Sequence, residues 1–220
     1  MTVKLFENNS LLKECEAVVT ACTEKNGKFL VELDQTVFFP EGGGQLSDRG
    51  KLNAVIVEHV SEKEGHIYHE CSAPLAEGTA VKAVLDWPLR LDRMQQHLGE
   101  HILSFACWKL FEANNIGFHM NEDSVFIDLD KELTEAELLQ AELFTNEIIW
   151  ENRPVTINYM DSTEAVKLKD KMRKWGCGHF LGLTKPQSRG FSYTLTGSYF
   201  QEISLSAFRY TISDIHSVCQ

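Results

Sequence analysis

The hydrophobic pattern of this chain changes period at one place, Asp86-Trp87-Pro88, and that change constrains the fold more than any other feature. Before it the sequence alternates. In AVVTACTEKNGKFLVELDQTVFF two β-rich runs flank Lys25-Asn26-Gly27-Lys28, and Asn-Gly between such runs signals a tight hairpin. NAVIVEHVSEKEGHIYHECS repeats the strand–turn–strand pattern, and TAVKAVLDW supplies another strand. Short antiparallel strands at this spacing predict a small barrel or a sandwich. After the change, proline suits a first helical turn. Leu91, Met94, Leu98, Ile102 and Phe105 then recur at helical spacing as one apolar stripe. Arg90, Arg93, His97, His101 and Ser104 form the adjacent stripe, which places both histidines at the border of a core.

Further along, SVFIDL (124–129) reads as a strand. Thr134 and Glu137 predict a capping box for a helix through about Trp150, and Asp161 and Glu164 predict another through about Trp175. FSYTLTGSYF and LSAFRYTI read as strands. Helices and strands in separate runs make this second part α+β. The expected domains are therefore residues 1–88 and 89–220.

A chain of 220 residues with 43% hydrophobic and 24% charged residues can build a core without staples. No apolar run approaches the roughly 18 residues that span a bilayer. MTVKLFENNSLLKECEAVV lacks the basic start and apolar stretch of a signal peptide. Cytoplasmic residence without a membrane partner is the expectation. The six cysteines include no CxxC pair and are expected as free, mostly buried thiols. A net charge of −11 argues against nonspecific affinity for nucleic acid. A local basic face remains open to KLKDKMRK at 167–174, whose plainer reading is a solvated helix face.

Residues 95–104, QQHLGEHILS, put His97 and His101 one helical turn apart. Side chains at that separation have Cβ atoms about 5–6 Å apart, so their ring nitrogens can converge on one Zn²⁺ at about 2.0–2.1 Å. Hydrogen-bonded histidines at a core edge would produce the same spacing. The fuller string HLGEH also matches H-x-x-E-H, the signature of inverted zinc metalloproteases, with Glu100 as the general base. FFPEGGGQLSDRG (38–50) holds three consecutive glycines, Gly42, Gly43 and Gly44, followed by Gln45. Such a backbone can approach a phosphate or ribose closely; it can equally be a flexible hairpin connection. No GK[ST] follows, so it is not a P-loop.

Taken together, TVFFPEGGGQLSDRG, LDW, RLDRMQQHLGEHILS and GFHMNEDSVFIDLD closely resemble the editing domain of alanyl-tRNA synthetase, and more closely the free-standing AlaX trans-editing proteins. The resemblance implies an N-terminal β-barrel subdomain carrying the glycine motif. An α+β editing domain of the threonyl/alanyl-tRNA synthetase type would follow, with a zinc site. The implied activity is hydrolysis, in trans and without ATP, of the ester in tRNA(Ala) mischarged with serine or glycine. Its partner would be the tRNA(Ala) acceptor end. Two alternatives stay open: the H-x-x-E-H metalloprotease and a non-catalytic tRNA-binding relic.

The resemblance also implies site residues. His97 and His101 match the first half of a zinc motif whose second half is CxxxH in the family. This chain has no CxxxH. It ends YTISDIHSVCQ, which resembles the approach to that motif. Cys219 is thus an expected ligand, with the matching histidine expected past Gln220. The other reading is a degenerate site, with His216 and Cys219, or Cys177 and His179 in WGCGHF, in its place. Glu100, between the ligands, is expected to position water or act as a base. His119 and Asn121, in a stretch matching the family's substrate loop, are expected to line the amino-acid pocket. Gly42, Gly43, Gly44 and Gln45 are expected to hold the CCA end, and the basic run 167–174 to meet the acceptor stem.

Overall fold

The computed structural model describes residues 1–122 and 124–151, together with the backbone of three later strands. The chain divides into two compact units, Met1–Gln95 and Gln96–Gln220. No described helix is long and apolar enough to cross a membrane.

The first unit opens with β1 (Val3–Lys4) and a short helix α1 (Leu5–Asn8), and β1 pairs in parallel with β4 (Gln35–Thr36). Its body is built from β2 (Glu14–Lys25), β3 (Lys28–Leu33), β5 (Gly50–Leu52), β6 (Val55–Lys63), β7 (His66–Cys71) and β8 (Ala80–Leu85). These six close into a barrel in the order β2-β3-β7-β6-β5-β8. Of the two architectures left open by the strand pattern, the barrel is the one formed. The Asn-Gly signal produces the β2–β3 hairpin, with Asn26 at φ 53° and Gly27 at φ 77°. Both values are positive, as a two-residue turn matched to strand twist requires. Alternation then fills the interior: Val19, Val31, Leu33, Leu52, Val57, Ile67, Val81 and Ala83 are buried in one cluster.

Buried polar side chains inside this barrel unit meet partners, as His69 and the Asp48–Arg90 pair show. His69 is fully buried; its Nδ1 donates to the Val31 carbonyl at 2.9 Å and its Nε2 accepts from Thr36 Oγ1 at 2.9 Å. That assignment follows because a carbonyl can only accept. Burial pushes the imidazole down to about 4. Asp48 and Arg90 are also buried, with Arg90 Nε donating to both carboxylate oxygens at 2.8 and 2.9 Å. Further Arg90 bonds reach the Ser10 and Val37 carbonyls, so the buried guanidinium has a dense set of acceptors.

Helix α2 (Trp87–Phe111) begins in the first unit and continues into the second. Its opening turns correct the sequence expectation. Leu91, assigned to the apolar stripe, is 36% exposed, whereas Arg90 and Arg93 are each 3% exposed. Hydrophobic periodicity misjudges this segment because the two guanidiniums meet buried acceptors: Arg90 pairs with Asp48, and Arg93 donates to the Ser47 carbonyl.

In the second unit β9 (Asn115–Met120) pairs antiparallel with β10 (Val125–Leu129). Helix α3 (Glu135–Trp150) follows. It begins with the capping box expected of Thr134 and Glu137: the Thr134 hydroxyl accepts from the Glu137 N–H while the Glu137 side chain accepts from the Thr134 N–H. Leu103, Ala106 and Cys107 of α2 pack with Ile127, Leu129 and Ala141. Ile102 packs with Ile148 and Ile149. The backbone of β11 (Thr156–Met160), β12 (His179–Gly182) and β13 (Gly190–Thr194) forms an antiparallel sheet in the order β11-β13-β12. The start of FSYTLTGSYF is therefore strand. The helix expected over 161–175, the basic run 167–174, Cys177, the strand LSAFRYTI, His216 and Cys219 lie outside the described residues.

Candidate metal centre

His97, Glu100 and His101 occupy positions i, i+3 and i+4 of α2, which fall on one helix face. One potential ligand atom from each lies within 4.8 Å of the others. The imidazole centroids are 4.8 Å apart with ring planes inclined by 31°. Phe118 of β9 stacks on His97, at 5.1 Å between centroids and 15° between planes. The aromatic face covers one side of the imidazole and excludes water from it. Burial pushes His97 down to about 4. Burial and then the neighbouring His97 push His101 down to about 3. Both rings are therefore neutral at physiological pH, the form that offers a lone pair to a metal.

Glu100 is 1% exposed. One of its oxygens, Oε1, accepts from Ser104 Oγ at 2.6 Å and from Asn115 Nδ2 at 2.6 Å. The other, Oε2, lies 3.2 Å from His101 Nδ1. Burial pushes this carboxyl up to about 7, against the two donors, which pull it back. A metal cation at this cluster would favour the ionised form further. Two neutral imidazoles one helical turn apart, with a carboxyl beside them, suit zinc.

The structure places the other expected residues separately. His119, expected in a substrate loop, lies on a strand; pairing with Phe126 across the β9–β10 ladder makes the segment extended. Its neighbour Phe118 faces His97, so strand alternation turns His119 to the opposite face. There its side chain is 71% exposed and Nε2 lies 3.7 Å from Asp128 Oδ2. The structure thus separates His119 from the histidine pair. Asn121 is exposed at the β9–β10 turn, where its N–H donates to the Ser124 carbonyl.

In the first unit the glycine stretch is a tight hairpin. Gly42 and Gln45 exchange both backbone hydrogen bonds at 3.1 Å, with Gly43 at φ 62° and Gly44 at φ 82°. Gln45 is 7% exposed, whereas the three glycines are exposed. Glu41, just ahead of the turn, meets His59 Nε2 at 2.8 Å, and Asp48, just beyond it, is the partner of Arg90. Each side of the hairpin is therefore anchored to the barrel unit.

Asn115 and Phe118 are site residues that sequence reasoning misses. Asn115 lies outside the quoted stretches, and Phe118, though inside GFHMNEDSVFIDLD, is not singled out there: both act through a strand whose pairing is visible only in three dimensions.

A family model described as tRNA synthetases class II (A) matches residues 3–89. The alanyl-tRNA editing protein AlaX-L of Pyrococcus horikoshii is 34% identical over 185 residues, covering 79% of this chain and 46% of that protein. The alanyl-tRNA editing protein Aarsd1 of Bos taurus is 33% identical over 165 residues, covering 69% of this chain and 37% of its own. The alanine–tRNA ligase of Thermococcus kodakarensis is 36% identical over 174 residues, 74% of this chain and 18% of the ligase. The chain spans less than half the length of each of these relatives.

Proposed function

Because this chain is homologous to the alanyl-tRNA editing proteins over most of its length, we propose that it hydrolyses the aminoacyl ester of mischarged tRNA(Ala). The second unit would then be an editing domain, and serine or glycine the amino acid removed. The observation that carries the reading is the cluster of His97, Glu100 and His101 on one helix face, two half-buried imidazoles around a buried carboxyl. The relatives are named for tRNA editing, which supports this reading over the H-x-x-E-H protease that the same residues could serve.

His97 and His101 would hold the zinc ion, with Cys219, outside the described residues, as a third ligand. Zinc so held supplies positive charge for a developing oxyanion. The chain's own residues do the rest. Burial keeps both imidazoles unprotonated, so they bind the cation without first releasing a proton. Glu100, ionised beside the cation, would accept the proton of an attacking water. Phe118 screens the His97 ring from solvent, which strengthens the local electrostatics. The Gly42–Gln45 hairpin is assigned to the tRNA terminus, where exposed backbone admits a phosphate or ribose. Serine is distinguished from alanine if its hydroxyl meets a built hydrogen-bonding site, since an alanyl group leaves that site unpaired.

The test is deacylation of Ser-tRNA(Ala), Gly-tRNA(Ala) and Ala-tRNA(Ala) by the purified chain, beside a variant carrying His97→Ala and His101→Ala. Hydrolysis of a mischarged species, with alanyl-tRNA spared and activity lost in the double variant, supports the proposal. Equal turnover by the double variant overturns it. Measurable tRNA binding without hydrolysis or metal would instead establish the non-catalytic reading.

A further inference from the structure

The β9–β10 ladder carries a bulge directly beside the histidine pair. Met120, Phe118 and Gly117 pair with Val125, Ile127 and Asp128, but the next pair joins Asn115 to Leu129 and leaves Ile116 as the extra residue. In a regular strand Ile116 would share the inner face of Phe118 and Met120, and Asn115 would point outward. The bulge reverses this. Ile116 is 70% exposed, while Asn115 shares the inner face with its partner Leu129, which is buried. Exposing an isoleucine to bury an amide is unfavourable on hydrophobic grounds alone. A bulge that does so has re-aimed a side chain for a purpose.

The amide that turns inward completes a hydrogen-bond network. Asn115 Oδ1 accepts from the Gly117 N–H at 2.9 Å, which fixes the orientation of the amide because only the oxygen can accept. Its Nδ2 donates to Glu100 Oε1 at 2.6 Å and to Ser104 Oγ at 2.7 Å, and Ser104 Oγ donates to the same Oε1 at 2.6 Å. With Oε1 held by two donors, the carboxylate cannot rotate freely. Its remaining oxygen is left 3.2 Å from His101 Nδ1.

We propose that Asn115 and Ser104 are positioning residues: they lock the Glu100 carboxylate so that its second oxygen stays 3.2 Å from the His101 ring and steadies that imidazole for the metal. The inference rests on the metal reading given above. A ligating histidine generally donates its second nitrogen to a carboxylate or carbonyl, and loss of such a partner costs 10–100-fold in metal affinity, on the order of what is expected here. The arrangement also assigns the bulge a role, since a regular β9 would not present Asn115 to Glu100.

The test measures zinc affinity of the full chain by competition with a chromophoric chelator, and the visible spectrum of the Co²⁺-loaded protein, alongside deacylation. Asn115→Ala and Ser104→Ala should each weaken zinc binding by roughly 10-fold or more and shift the Co²⁺ bands. Ser104→Thr, which keeps the hydroxyl, should restore both. Far-ultraviolet circular dichroism identifies any variant that fails to fold. Wild-type zinc affinity and an unshifted Co²⁺ spectrum in folded Ser104→Ala and Asn115→Ala overturn the positioning role while leaving the metal site standing. A wild-type chain that binds no zinc overturns both readings together.

Discussion

The two units treat buried polarity in opposite ways. In the barrel unit, Asp48 meets Arg90 charge for charge, and His69 sits neutral between a carbonyl and a hydroxyl. In the second unit, two imidazoles and a carboxylate crowd one helix face, and burial disfavours the charged form of each. The first arrangement satisfies its groups and stabilises the fold. The second gathers groups that a cation would satisfy better, which is how a binding site differs from a structural pair.

The largest effect should come from breaking the structural pair. Arg90→Met strands the Asp48 carboxylate in the barrel unit, and loss of one partner of a buried ion pair costs about 3–5 kcal/mol. Chemical denaturation of metal-free protein should show a loss of that size. A loss below about 1 kcal/mol, the level of an exposed pair, would remove the distinction between the clusters.

Acid should weaken the barrel unit through His69. Its imidazole is pushed down to about 4 from the ordinary 6.5, so between those values the unfolded chain binds the extra proton. Stability therefore falls as pH drops from about 6.5 to about 4, by about 3 kcal/mol, because each tenfold difference in proton affinity between the folded and unfolded chain is worth about 1.36 kcal/mol. His97 and His101 add losses of the same sign. His69→Gln should flatten part of the dependence in urea titrations run between about pH 7 and about pH 3.5, a window that brackets this titration. An unchanged pH slope in that variant would show that His69 is not a buried neutral imidazole.

The cluster on α2 should respond with the opposite sign to the loss of its charge. Glu100→Gln keeps the shape and the acceptor for Ser104 and Asn115 but removes a desolvated carboxylate. Metal-free protein at about pH 8, where the carboxylate is ionised, should gain stability because a charge that burial disfavours is removed, while zinc affinity falls. A variant destabilised as strongly as Arg90→Met would mean that Glu100 is structural.

This contrast also explains what is legible in the sequence. The barrel strands, the Asn-Gly hairpin, the helix starting beside Pro88 and the capping box at Thr134 are local signals, encoded within a few residues. The spacing of His97 and His101 is equally local. Arg90 and Arg93 escape such a reading because burial of a guanidinium depends on acceptors far away in the chain, Ser47 and Asp48. Asn115 is invisible for a related reason: a bulge appears only when one strand is laid against another. His119 reads as a loop residue in GFHMNED, yet the β9–β10 register pairs it with Phe126, a pairing no local signal announces.

The smallest expected effect isolates the backbone of the barrel unit from either polar cluster. A Cβ at Gly43 would meet no atom within 4 Å, so Gly43→Ala creates no clash. Its φ of 62° nonetheless lies in the left-handed region, where a side chain costs about 1 kcal/mol. Stability should fall by that amount, and zinc affinity should stay at the wild-type value because no metal-centre residue is touched. If the hairpin also receives the tRNA terminus, KM for mischarged tRNA should rise while kcat holds, since a strained turn presents its backbone less often in the bound form. A fall in zinc affinity in Gly43→Ala would show that the hairpin and the histidine cluster are energetically coupled, and would dissolve the division between structural and functional polarity.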